Sequence, residues 1–209
     1  MADAVLVANG ELRWTPELTA LAAAAPVLLA ADGGADHLVR VGIPPTAVVG
    51  DLDSISAATR AWVGEDRLVH LPDQDRTDLE KAMVHAFDEL AVPGLTVLGA
   101  LGGRPDHELG NLGLLARMAR GLELLYLSGD GVMLAVEGVL ELPAEPGETW
   151  SFWTFDPAVR VTLRGVEWPV EGADLSAAAR PSISNRASGD RVVVESVGGA
   201  VVVFRKRRP

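Results

Sequence analysis

The sequence predicts two domains of different class: an N-terminal α/β domain with a mostly parallel sheet over residues 1–130, and an antiparallel all-β domain over residues 131–209. Three observations carry that division. Up to about residue 130, short and nearly continuously apolar runs alternate with helical patterns, as expected for parallel strands covered on both faces. Almost every one of these runs ends in a cluster of Gly, Asp or Asn. Beyond residue 130 the chain changes to short alternating runs between Gly and Pro turns, the pattern of antiparallel strands.

In chain order, the apolar runs are "AVLVANG" (4–10), "PVLLAADGG" (26–34), "TAVVGDLDS" (46–54), "DRLVHLPD" (66–73), "LTVLGALGG" (95–103) and "LELLYLSGD" (122–130). The clearest helix between them runs from Thr77 to Leu90. Its apolar residues Leu79, Ala82, Met83, Ala86, Phe87 and Leu90 fall on one helical face, and Asp75 or Thr77 is placed to cap it. A second helix is expected from Asp106 to about Arg120. In the second half, "VTLRGVEW", "RVVVESV" and "AVVVFRKR" read as strands, and only residues 173–180 look briefly helical. Trp14, Trp62, Trp150 and Trp153 are expected in the core. His37, His70 and His85 are scattered without ligand spacing and read as structural or surface residues.

Composition narrows the function classes. Hydrophobic residues make up 48% and charged residues 22% of the 209, an ordinary globular balance. The net charge of −11 is a poor match to nucleic acid, whose binding comes largely from neutralising phosphates. The basic "RKRR" (205–208) reads as the solvated end of a strand. The longest apolar stretch, "LTALAAAAPVLLAA" (18–31), is too short to span a bilayer and is broken by Pro26. The opening "MADAVLVANGEL" has no basic n-region, so no signal peptide is expected. The absence of cysteine excludes disulfides, thiolate nucleophiles and Cys-type zinc sites, and it suits a reducing cytoplasm.

Ligands of open α/β sheets bind outside the carboxyl ends of the strands, which gives the polar clusters there a common address. They are Asp32 in "ADGGAD", Asp51 and Asp53 in "GDLDS", Asp73, Gln74, Asp75 and Asp78 in "PDQDRTD", and Arg104, Asp106 and His107 in "GGRPDH". Several carboxylates a few ångströms apart repel by several kcal/mol unless they protonate or find a cation. The usual remedy at neutral pH is a hard divalent metal such as Mg²⁺, which takes one or two carboxylates and keeps places for water and phosphate. In an extended strand end, alternation would point Asp51 and Asp53 to the same side, with Asp78 coming in from the first turn of the next helix. Gly33–Gly34 and Gly102–Gly103 permit close backbone approach before helix N-termini, which favour anions. Arg104 is suited to clamp a phosphate.

These clusters, in this order, resemble the thiamine pyrophosphokinase (thiamin diphosphokinase) family. The matching segments are "ADGGAD" (31–36), "GDLDSI" (50–55), "DQDRTDLEKA" (73–82) and "GGRPDHELGN" (102–111), with "GVEWPV" (165–170) and "SISN" (182–185) in the second half. The resemblance implies a Rossmann-like nucleotide-binding domain followed by a β-sandwich. It implies transfer of the β,γ-pyrophosphoryl group of ATP to thiamine, with Mg²⁺, in a homodimer whose thiamine lies where the α/β domain of one subunit meets the β domain of the other. Asp51, Asp53 and Asp78 match the Mg²⁺-binding acids. Gln74, Thr77, Asp78, Gly103, Arg104 and Asn111 match positions along the ATP and pyrophosphate path, and Asp106 pairs with Arg104 after the double glycine. Asp32, Ser182, Ser184 and Asn185 match the thiamine side. Where some relatives place a stacking aromatic after "SN", this chain has "SNRASGD"; Trp168 would supply an aromatic wall or belong to the sandwich core. Asp32 and Asp78 are alternative bases for the thiamine hydroxyl. Two rival readings use the same residues: a diphosphokinase acting on a hydroxymethyl-pterin, and a thiamine- or nucleotide-binding regulatory module without turnover.

Overall fold

The computed structural model describes residues 4–118 and 123–207. Arg120, Leu122 and Arg208, which belong to the expected second helix, the sixth apolar run and the basic tail, lie outside them. The chain separates into two compact units, Met1–Asn111 with Tyr126–Ser128, and Leu112–Leu125 with Gly129–Pro209.

The first unit contains β1 (Ala4–Val7), α1 (Pro16–Ala24), β2 (Val27–Ala31), α2 (Ala35–Val41), β3 (Ala47–Gly50), α3 (Ala57–Val63), β4 (Leu68–His70), α4 (Asp78–Val84) and β5 (Gly94–Leu98). The strands lie in the order β5-β1-β2-β3-β4, and each neighbouring pair is parallel. Every residue of β1, β3 and β5 is buried, which is why these strands read as unbroken apolar runs. Val5, Val7, Leu28, Ala30, Val48 and Leu98 pack with Leu38 of α2 in one core. Side-chain oxygens start the helices: Thr15 accepts from Leu18 N, Ser56 from Thr59 N and Thr77 from Glu80 N. Each satisfies a backbone donor with no partner inside the helix. Because β1 is flanked by β2 on one side and β5 on the other, the chain reverses direction across the sheet after β4. That reversal opens a crevice at the carboxyl ends of β1 and β5.

The helix expected from Thr77 to Leu90 changes winding partway. After α4, His85–Glu89 form a π turn, closed by Leu90 N donating to His85 O at 3.1 Å. The wider turn rotates the succeeding residues off the buried face. Leu79, Ala82, Met83 and Ala86 are buried as expected, but Phe87 is only half-buried and Leu90 is exposed.

After β5 the chain continues into α5 (Pro105–Met118) and β6 (Glu123–Leu127), and the division between the units passes through both. The second unit is an antiparallel β-sandwich of β7 (Gly131–Pro143), β8 (Thr149–Trp153), β9 (Arg160–Arg164), β10 (Val170–Ala173), β11 (Ser182–Arg186) and β12 (Arg191–Lys206). β12 pairs with β7 along its length, with β9 through Val193–Val197 and with β8 through Val202–Arg205. The register shifts between Ser196 and Val201, around Gly198 with φ +90°. One strand thereby serves two sheets through a bend. Trp150 and Phe152 of β8, Val161 and Leu163 of β9, and Val192, Val194, Val201 and Val203 of β12 fill the core between them.

Three sequence expectations need correction here. Residues 173–180 form no helix: Ser176 makes an isolated bridge to Thr154, and Ala179 N closes a turn onto Ser176 O. Trp62 is exposed on α3 rather than in the core, while Trp150 is fully buried. Trp168 is exposed as well, so it is not sandwich core. Among the described residues, no helix is long and apolar enough to cross a membrane.

Gly34 is required by packing. A Cβ there would stand 2.2 Å from the Val7 carbonyl oxygen, although its φ of −56° suits any residue. Gly42 is the opposite case, with φ +68° and open space around it. Gly34→Ala is therefore expected to cost about 3 kcal/mol, and Gly42→Ala about 1 kcal/mol, measured by denaturant unfolding. Equal losses would mean that the approach of α2 to β1 is not the constraint.

Candidate functional site

Each acid reaches the carboxyl edge of the sheet on its own element. Asp32 follows β2, Asp51 follows β3, and Asp78 is the first residue of α4. One oxygen from each lies within 4.8 Å of the other two. Gly50 makes this possible, since a Cβ there would sit 2.9 Å from Asp32 Cβ and 3.0 Å from Asp78 Oδ1.

Asp53 is not a member of that group of three. β3 ends at Gly50, and Leu52 takes a left-handed φ of +64°, so the alternation expected of an extended Asp51–Asp53 does not hold. The segment is a tight loop instead. Asp53 N donates to Asp51 Oδ1 at 3.3 Å, and Ser54 Oγ donates to Asp53 Oδ1 at 2.8 Å.

The cluster is held by donors of different kinds. Asp32 is buried, and its two oxygens accept from Ser54 N at 3.0 Å and Ile55 N at 3.1 Å. Asp51 accepts from Gln74 Nε2 at 3.1 Å. Asp78 Oδ1 accepts from Asp51 N at 3.2 Å and from Lys81 Nζ at 3.0 Å. Burial pushes the Asp32 carboxyl above its ordinary range, with the neighbouring acids adding to the effect. The Gln74 hydrogen bond draws Asp51 below it. Unfolded Asp32 ionises first as pH rises, so its contribution to stability is lost as pH climbs through its raised folded pKa. An all-oxygen donor set at this spacing fits a hard divalent cation.

A cleft of about 800 Å³ opens beside the cluster. Asp32, Asp78, Gly103, Arg104 and Asn111 line it, as do Arg13, His37 and Arg40. Asp51, Asp53, Gln74, Thr77 and Asp106 are not in the lining. Asn111 is anchored by Nδ2 donating to Ala100 O at 2.7 Å. Arg104 is exposed and paired with Asp106, Nη2 to Oδ2 at 2.6 Å; that hydrogen bond holds the Asp106 carboxyl down at about 2. His37 sets its Nε2 3.0 Å from Gly10 O. A carbonyl can only accept, so that nitrogen carries the proton, and burial keeps the ring's pKa below the usual value.

Sequence reasoning missed two groups. The loop after β1, "ANGELR" (8–13), forms a wall of the cleft but carries no cluster of acids. Lys81 is buried against Asp78, although lysine normally marks a solvated face. Its only sequence signal is the i, i+3 spacing from Asp78.

In the second unit, Ser182 is half-buried, Ser184 is exposed with φ +58°, and Ser184 N donates to Ser151 Oγ at 3.0 Å. Asn185 is buried and its amide is fully used. Nδ2 donates to Trp168 O at 2.9 Å and Ser182 Oγ at 3.0 Å; Oδ1 accepts from Trp168 N at 3.2 Å and Arg186 N at 2.8 Å. That fills its two donors and two lone pairs. Asn185 thus fixes the backbone of Trp168, whose side chain stays 57% exposed.

Asp32→Ala removes both acceptors of the Ser54 and Ile55 N–H groups. The expected loss is about 2 kcal/mol, seen as a fall of roughly 4–8 °C in Tm. An unchanged or higher Tm would mean that relief of carboxylate repulsion outweighs the clamp on the loop.

Residues 18–125 match the family model described as "Thiamin pyrophosphokinase, catalytic domain", and residues 139–201 match "Thiamin pyrophosphokinase, vitamin B1 binding domain". Thiamine pyrophosphokinase 3 of Oryza sativa subsp. japonica is 28% identical over 223 residues, covering 92% of this chain and 82% of that protein. Thiamine pyrophosphokinase of Bacillus subtilis is 24% identical over 207 residues, 96% of each. The fold is similar to the solved structure of thiamin pyrophosphokinase from Candida albicans, with a TM-score of 0.82 at 17% identity over 98% of this chain and 90% of that one. It is also similar to that of the Bacillus subtilis protein, with a TM-score of 0.80 at 24% identity over 99% of each. With the catalytic-domain model alone spanning more than half of its length, the chain belongs to the thiamin pyrophosphokinase family.

Proposed function

We propose that this chain is a thiamine diphosphokinase. The hydroxyethyl oxygen of thiamine attacks the β-phosphorus of ATP, the bond from that phosphorus to the α-phosphate's bridging oxygen breaks, and thiamine diphosphate and AMP leave. The observation that carries this reading is the Asp32–Asp51–Asp78 cluster beside a cleft at the reversal point of a parallel sheet. The pterin and non-catalytic readings are not favoured, because both matched family models describe thiamin pyrophosphokinase domains.

The residue roles follow from chemistry and position. We assign Asp51 and Asp78 of the cluster, together with Asp53 of the adjoining loop, to a Mg²⁺ ion, which would supply the positive charge that phosphate oxygens need during transfer. Gln74 orients Asp51, and Thr77 fixes the start of α4 so that Asp78 faces the cluster. Arg104 leaves Asp106 to clamp a phosphate, with Gly103 and Asn111 shaping that wall. Of the two candidate bases we favour Asp32, a cleft residue whose carboxyl is held above its usual range. Ser182 and Ser184 contact thiamine, and Asn185 contributes by holding Trp168, whose exposed ring is free to stack. We assign residues 1–130 to the nucleotide and metal and residues 131–209 to thiamine. The working species is a homodimer, a reading supported by the exposed Val139, Ile183 and Val197 of the second unit. The cysteine-free composition is consistent with action in the cytoplasm.

Incubation with thiamine, ATP and Mg²⁺ is expected to give thiamine diphosphate and AMP in equal amounts, separated by chromatography and abolished by chelation. Asp51→Asn should lower turnover by roughly 100-fold or more. Thiamine monophosphate with ADP would overturn the transferred group. Binding of thiamine without product would overturn the enzymatic reading.

A further inference from the structure

The transfer reaction gives Lys81 no task, yet its placement is costly. Its residue is 1% exposed, and removing an ammonium from water costs several kcal/mol unless it is well paired. Its Nζ stands 3.0 Å from Asp78 Oδ1, the oxygen that also accepts from Asp51 N. Lys81 N donates to Thr77 O at 2.9 Å within the first turn of α4, so the ammonium and Asp78 are carried on one rigid turn. An ordinary i, i+3 ion pair on a helix surface is solvated at both ends and is worth little. Here the cation end is buried, and the anion end belongs to three carboxylates gathered within 4.8 Å.

We propose that Lys81 is a positioning residue of the divalent-cation site. Acting through Asp78, it is a built-in positive charge that keeps the carboxylates together when no metal is bound, and it thereby limits how tightly the metal binds. This role rests on the assignment of Asp51 and Asp78, two of those three acids, to a divalent cation. A fixed ammonium beside the ligands supplies part of the charge that the metal would otherwise supply, and it repels the incoming ion. The bound metal is then exchangeable, as a cation that arrives and departs with phosphates must be. A lysine that only filled space would leave metal affinity untouched.

The test is thermal unfolding of the parent and of Lys81→Met across a Mg²⁺ titration, without nucleotide. The variant should melt lower in chelator, gain more from Mg²⁺, and show an apparent Kd about tenfold tighter, as expected for loss of one like charge near a divalent ion. Lys81→Arg, which keeps the charge, should retain the parent's affinity. An unchanged or weaker Kd in Lys81→Met would overturn the proposal while leaving the metal site standing. A parent that does not respond to Mg²⁺ would overturn the metal assignment, and this inference with it. If Lys81→Met fails to fold at any Mg²⁺ concentration, the double variant Asp78→Asn/Lys81→Met decides. Removing anion and cation together should restore folding, and a double variant as unfolded as the single one would refute the charge-balancing role.

Discussion

Carboxylates that share a few ångströms must be compensated, and the first unit can be understood as the apparatus that does so. Asp32, Asp51 and Asp78 are each answered by a different partner: two loop N–H groups, a glutamine amide and a buried ammonium. None of these partners is interchangeable. The N–H groups fix the loop after β3, the amide tethers the segment before α4, and the ammonium ties α4 to the cluster. The close gathering of these acids leaves no room for a Cβ at Gly50, which would meet Asp32 Cβ and Asp78 Oδ1, and it gives buried Lys81 its anion.

The scaffold contributes direction. Parallel strands all deliver their carboxyl ends to one edge, so residues separated by nearly fifty positions in sequence meet without any long connection crossing the site. The caps on α1, α3 and α4 come from side chains of the connecting loops. The loops are thereby set rigidly, even though their sequences are polar and rich in turn formers. The second unit offers a different resource, an exposed tryptophan whose backbone is held by a saturated asparagine.

Much of this was legible in the sequence. Unbroken apolar runs ending in acids gave the parallel sheet and the edge at which the acids gather, because burial on both faces and polarity at the ends are both written in residue type. What escaped reading was set by backbone conformation. Nothing in "GDLDS" announces that Leu52 turns left-handed, so strand alternation placed Asp53 beside Asp51 where a loop was built instead. The π turn after α4 likewise inserts a rotation that a fixed helical period cannot register, which misplaced Leu90. The cleft wall formed by residues 8–13 carries no cluster of acids to mark it. Lys81 was invisible for a simpler reason. Its burial depends on what β2, β3 and α4 surround, and spacing along one helix cannot reveal that.

The bent strand β12 has a consequence for how the protein comes into being. It is the shared partner of β7, β8 and β9, and its pairing with β7 joins residues 131 and 206. During synthesis on the ribosome, the β-sandwich therefore cannot close until nearly eighty residues have emerged, whereas β1 to β5 can associate as soon as residue 98 is out. β7, β8 and β9 must wait with open hydrogen-bonding edges, the state in which strands most readily find the wrong neighbour. The nascent chain's vulnerable interval ends only when β12 arrives.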